Sequence, residues 1–71
     1  MQHMPVPAPI LYETLLALLE QQTMDRATRE DPKSVSQVQE VIRTLRKALA
    51  LQKQMEEHWT TQGFLIDHRW S

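Results

Sequence analysis

The chain has 71 residues, a formal net charge of −1 and no cysteine. Ordering about 71 residues at roughly 1.5 kcal/mol each requires on the order of 4,000 Å² of apolar burial, which a monomer of this length seldom achieves. Small domains with too little apolar burial are often stabilised by disulfides or zinc, but the lack of cysteine excludes disulfides and Cys-based zinc sites here. We therefore expect a second chain to complete the fold, so that the protein is either a homo-oligomer, most simply a dimer, or one half of a heteromer.

The first eight residues are predicted to be a flexible, proline-rich leader. Pro5 and Pro7 lack a backbone donor and hold the chain extended. Residues 1–3 precede Met4, which is a second plausible start, so they are either native or the remnant of a cloning junction. The rest of the chain, residues 9–71, is predicted to form a single helical-hairpin domain.

The first helix is predicted over residues 9–25, because proline is well tolerated in a first turn. Leu11, Leu15 and Leu18 share one side of it, and with their apolar neighbours they form an arc of about 160°, wider than one partner helix covers. A polar stretch ending at Pro32 is then expected to connect this helix to the next one.

The second helix is predicted over residues 34–61. Val38, Ile42, Leu45 and Leu49 fall on successive a and d positions of a heptad, whereas polar side chains at Gln52 and Glu56 interrupt the pattern. So short a repeat favours a globular hairpin over a coiled coil. Ser34 followed by Gln37 is the pattern of a capping box at the start of this helix, with Ser36 as an alternative cap.

The last nine residues, 63–71, are predicted to be a docking tail. Gly63 suits the left-handed position that ends a helix. Phe64, Ile66 and Trp70 are too apolar for a free tail, so this segment packs either on Met55 and Trp59 of its own chain or on a partner.

No pattern in the sequence indicates catalysis. A Gly-rich phosphate loop, HExxH and GxSxG are all lacking, so we expect no enzyme activity, no cofactor, no metal and no small-molecule substrate. The longest apolar run, residues 15–19, is far too short for a membrane span, and the N-terminus lacks the features of a secretory signal. We expect a cytoplasmic protein that does not enter a membrane.

The sequence thus predicts an all-α protein: an antiparallel helical hairpin with an apolar C-terminal segment, completed by oligomerisation into a helical bundle. In size and layout it resembles small helical-hairpin partners among bacterial secretion chaperones and hairpin-dimer regulators of RNA, without a shared motif. The predicted function is a small non-catalytic protein–protein interaction module, acting as an adaptor, chaperone or regulatory subunit. The predicted partner-binding residues are apolar: Leu11, Leu15, Leu18, Val38, Ile42, Leu45, Leu49, Met55, Trp59, Phe64, Ile66 and Trp70.

The alternative is a small helical dimer that binds nucleic acid as a regulator. A basic stripe on the second helix carries this alternative, since rows of Lys and Arg contact phosphates. The overall negative charge and the nearby Glu40 weigh against it. The residues of this stripe are Arg43, Arg46, Lys47 and Lys53.

Overall fold

The computed structural model describes residues 2–70. Two helical arms lie side by side, and the two ends of the chain meet in a small sheet. The elements in chain order are β1 (His3–Pro7), α1 (Pro9–Leu18), a π-helical segment (Leu19–Thr23), α2 (Met24–Glu30), a 3₁₀ turn (Pro32–Ser34), α3 (Val35–Thr61) and β2 (Leu65–Arg69). We call α1, the π-helical segment and α2 together the first arm.

The first arm is helical throughout and runs beyond the predicted end near residue 25. The π-helical segment adds one residue to a turn without ending the helix. Arg29 donates to the Asp25 carboxylate four residues earlier at 2.5 Å, which supports α2. The arm ends because Asp31, at φ −150° and ψ 73°, takes the extended conformation that a following proline favours.

The second arm is the single helix α3. Ser34 stands at its N-cap, but its hydroxyl donates to the Asp31 carbonyl at 2.8 Å and makes no cap bond, so the predicted capping box is wrong. At the other end Gly63 adopts φ +92°, and the N–H of Phe64 donates to the carbonyl of Trp59 at 3.0 Å. This left-handed residue reverses the chain and sends it back along α3.

The all-α prediction is wrong, because the chain is mainly helical but also contains a two-stranded parallel sheet. β1 pairs with β2 in a register that opposes His3 to Leu65 and Pro7 to Arg69. Residues 3–7, expected to be a flexible leader, therefore form a strand, and the tail docks on that strand of its own chain. The chain reverses once between the two arms and again at Gly63. β2 therefore runs in the same direction as β1, and the strands are parallel.

The prolines of β1 fit this sheet because of their spacing. The N–H of Ala8 donates to the carbonyl of Arg69 at 3.0 Å, so the even-numbered residues of this segment face β2. Pro5 and Pro7 are odd-numbered, and their missing donors fall on the opposite edge of the strand, where the ladder needs none.

The molecule is one helix layer deep. Its Cα atoms span 51 × 19 × 10 Å, and within residues 2–70 the buried apolar side chains are those of Val6, Ala8 and Leu16. Domains normally bury their apolar faces between at least two layers. One broad face of the hairpin is therefore left without a covering layer.

Candidate protein-binding face

A buried polar side chain joins the sheet to both arms. Gln52, at 5% exposure, accepts a hydrogen bond from the Tyr12 hydroxyl at 2.6 Å and donates to the Pro7 carbonyl at 2.7 Å. It also donates to the Glu56 carboxylate at 2.9 Å, and that carboxylate in turn meets His68 Nε2 of β2 at 3.0 Å. Gln52 and Glu56, which interrupt the heptad in the sequence, thus connect α3 to α1 and the sheet.

An ion pair marks the polar side of the hairpin. Arg46 of α3 donates to the Glu20 carboxylate of the first arm, and the two side chains are 59% and 40% exposed. With the Tyr12–Gln52 bond, this pair sets the level at which the two arms lie side by side. Residues two apart on a helix are about 200° apart, so Arg46 points away from the side that carries Thr44 and Ala48.

The opposite side of the hairpin is an apolar groove of about 650 Å³ between the two arms. Leu15 and Leu18 of α1 are half exposed, at 50% and 48%, and Val41 of α3 is 52% exposed. Such exposure is unusual for large aliphatic side chains that stand together. The first arm contributes Leu15, Leu18 and Leu19 to the groove, and α3 contributes Gln37, Glu40, Val41, Thr44, Leu45 and Ala48.

An open pocket of about 440 Å³ continues this surface toward the sheet. Trp70 is 85% exposed and has a φ of +64°, which is rare for a residue other than glycine. Leu15 lines both the pocket and the groove, so the two are contiguous. The pocket is lined by Pro5, Val6, Pro7, Leu11, Tyr12, Leu15, Arg69 and Trp70. We call the groove and this pocket together the apolar face.

The α3 side of the apolar face follows a second heptad register, which lies beside the predicted seam. The predicted seam residues Val38, Ile42, Leu45 and Leu49 lead to the buried Gln52, so that stripe faces the first arm. An outer stripe consists of the residues that come one position before each residue of this inner stripe. It has the same alternating spacing of four and three residues. Its members are Gln37, Val41, Thr44, Ala48, Leu51 and Met55.

The predicted partner-binding residues divide between these two stripes and the sheet end. Val38, Ile42, Leu45 and Leu49 are half-buried within the hairpin. Leu45 also lines the apolar face, together with Leu11, Leu15, Leu18 and Trp70. Met55 lies on the outer stripe beyond the groove, and Trp59, Phe64 and Ile66 are half-buried at the base of α3 and in and beside β2. Val41, Ala48 and Leu51 belong to the outer stripe but were not among the predicted partner-binding residues.

The predicted basic stripe is partly neutralised by carboxylates. Arg43 forms an ion pair with Glu40, and Arg46 forms one with Glu20. Lys47 and Lys53 are exposed on the same helix. Two of the four cations thus already have an acidic neighbour.

Residues 2–70 contain neither a metal-binding cluster nor a membrane-spanning helix. Over residues 2–70 no group of three or more His, Asp or Glu side chains is arranged to hold a metal ion. In the same part of the chain, no helix combines the length and the apolar content that crossing a bilayer demands.

Comparison with known proteins gives a family. The sequence is 46% identical, over all 71 of its residues and 85% of the relative's length, to an uncharacterized 9.3 kDa protein in the soluble hydrogenase 5′ region of Anabaena cylindrica. No solved structure matches the chain. A model of a family of unknown function, DUF5340, matches residues 1–71. The chain belongs to this family.

Proposed function

We propose that this protein is a small non-catalytic protein-binding module, an adaptor, chaperone or regulatory subunit of the cytoplasm, that docks its apolar face on another protein chain. The observation that carries the proposal is the one-sided distribution of apolar side chains in a hairpin one layer deep. Water contact of half-exposed leucines is unfavourable by about 25 cal/mol per Å², so a covering chain is stabilising.

The hydrogen bonds of the hairpin leave that face available. The Glu20–Arg46 pair lies on the opposite side, and the Gln52 bonds lie between the arms and the sheet. These contacts hold the two arms side by side without occupying the groove. A preformed face loses less conformational entropy on binding than a disordered segment does.

The nucleic-acid alternative has less support. A phosphate-binding row needs cations that are free to neutralise phosphates and displace the counterions condensed on the nucleic acid, and Arg43 and Arg46 already meet carboxylates. The non-catalytic part of the proposal rests on the sequence, in which the common catalytic motifs are lacking.

The test compares two substitutions to glutamate on α1. Leu15 belongs to the apolar face, whereas Ala17 is exposed about 200° further round the same helix. Tagged wild type, Leu15→Glu and Ala17→Glu are cross-linked in cells of the native host and purified, and the attached proteins, including untagged copies of the chain, are identified.

We expect wild type and Ala17→Glu to carry the same attached chain and Leu15→Glu to lose it, since a carboxylate buried at an interface without a partner costs several kcal/mol. The proposal is overturned if Leu15→Glu retains that chain as well as Ala17→Glu does, or if wild type carries none.

A further inference from the structure

We infer that the chain covering the apolar face is a second copy of this protein, and that α1 of each copy packs on α3 of the other in a four-helix bundle. This inference rests on the proposed function and names the partner. It is supported by the exposed area, the two heptad registers, the distribution of large and small side chains, the heights of the facing residues and the charges of the two halves.

The exposed area is larger than a free monomer of this mass should have. A folded monomer of 8.4 kDa is expected to expose about 4,600 Å², whereas this chain exposes 5517 Å². Its Cα radius of gyration is 15.7 Å, against roughly 11 Å for a compact chain of this length. The excess of about 900 Å² is close to the roughly 800 Å² that each partner loses in a standard interface.

The two registers of α3 indicate what shape the partner has. A helix in a four-helix bundle contacts two neighbours through two adjacent seams. One seam of α3 faces the first arm, and the outer stripe is the unfilled second seam. α1 has a matching outer stripe, in which Leu11, Leu15 and Leu18 are spaced by four and three. Both outer stripes line the same face, so the partner must present two helices at the same separation, as a second copy does.

The side chains on the two stripes are complementary in size. α1 presents leucines, whereas the middle of the α3 stripe has the small residues Thr44 and Ala48. Large side chains from one helix packing against small ones from another fill a bundle core without gaps. This favours α1 on α3 of the other copy over α1 on α1.

The levels of the residues agree with that arrangement. The Tyr12–Gln52 and Glu20–Arg46 contacts place Leu15 and Leu18 at about the height of Ala48 within one copy. A two-fold axis parallel to the hairpin preserves height and exchanges the two arms. It therefore brings the leucines of one copy opposite Ala48 of the other. The axis also sets residues 1–32, with net charge −3, beside residues 33–71, with net charge +2.

The experiment compares two alanines of α3. Ala48 lies on the outer stripe, and Ala50 is exposed about 200° further round the helix. Sedimentation equilibrium is measured for wild type, Ala48→Glu and Ala50→Glu, with far-UV circular dichroism to follow helix content. We expect wild type and Ala50→Glu at twice 8.4 kDa, and an association constant lowered by about 100-fold or more in Ala48→Glu.

The melting temperature of wild type needs no variant and covers the case in which Ala48→Glu does not fold. It should rise with protein concentration between about 1 and about 200 µM, since dissociation and unfolding are linked. A wild type that stays at 8.4 kDa with a constant melting temperature overturns the inference, as does an Ala48→Glu variant that associates like Ala50→Glu. A monomer that still captures a different protein through Leu15 overturns the inference alone, whereas a monomer without Leu15-dependent capture overturns the proposed function too.

Discussion

Replacing Gln52 by methionine should destabilise the protein by about 2–3 kcal/mol, because three hydrogen bonds of roughly 1 kcal/mol each are lost. The amide accepts from Tyr12 at 2.6 Å and donates to the Pro7 carbonyl at 2.7 Å and to Glu56 at 2.9 Å. Methionine keeps the length of the side chain and restores none of these bonds. The cost is kept below the full sum because Tyr12 and Glu56 retain some contact with water.

Urea unfolding followed by far-UV circular dichroism at one fixed protein concentration measures this effect. Gln54→Met is the matched control, since Gln54 is exposed two residues further along the same helix and should change stability by less than about 0.5 kcal/mol. Tyr12→Phe should cost about 1 kcal/mol alone and much less in the Gln52→Met background. If Gln52→Met and Gln54→Met unfold at the same urea concentration, Gln52 does not join the sheet to the arms.

Three further substitutions test separate parts of the fold by the same urea titration. Gly63→Ala should cost about 1 kcal/mol from its φ of +92° alone, since a Cβ there meets no atom within 4 Å; an unchanged midpoint would mean that the turn is not left-handed. Leu16→Ala should cost about 3 kcal/mol because Leu16 is 6% exposed, and a loss below about 1 kcal/mol would show that this side chain is not buried. Arg46→Ala should cost no more than about 0.5 kcal/mol because its pair with Glu20 is solvent-exposed, and a loss above about 1.5 kcal/mol would contradict that exposure.

The helices could be predicted from the sequence because their apolar residues recur at helical spacing. The position of α3 could be predicted from the spacing of Val38, Ile42 and Leu45, and the turn that follows it could be predicted from Gly63. The first arm continues past residue 25, to Glu30, because local pairs such as Asp25–Arg29 support a helix that has no apolar stripe.

The sheet could not be predicted from local patterns. Proline is depleted in strands, and the partner of β1 lies about sixty residues away in the sequence. The alternate spacing of Pro5 and Pro7 was the available signal, since it confines the missing donors to one edge. Gln52 was interpreted as a break in the seam because its buried partners, Tyr12 and the Pro7 carbonyl, are distant in the sequence.

The apolar face was predicted only in part. Leu15 and Leu18 were identified because the leucine arc of α1 is too wide for one neighbour. Val41 and Ala48 were not predicted to bind a partner, because the inner register of α3 has the stronger apolar pattern. That register packs on the first arm. Which of two adjacent registers stays exposed depends on tertiary contacts such as the Gln52 bonds.

The central claim is that the apolar faces of two copies pack on each other. Isotope-filtered NMR on a mixture of labelled and unlabelled copies tests this claim most directly, because it detects only contacts between chains. We expect intermolecular signals from the methyl groups of Leu15 and Leu18 in one copy to Ala48 in the other, and none to Ala50. The absence of intermolecular signals from these leucines would contradict the proposed dimer, as would signals that join the polar sides of two copies.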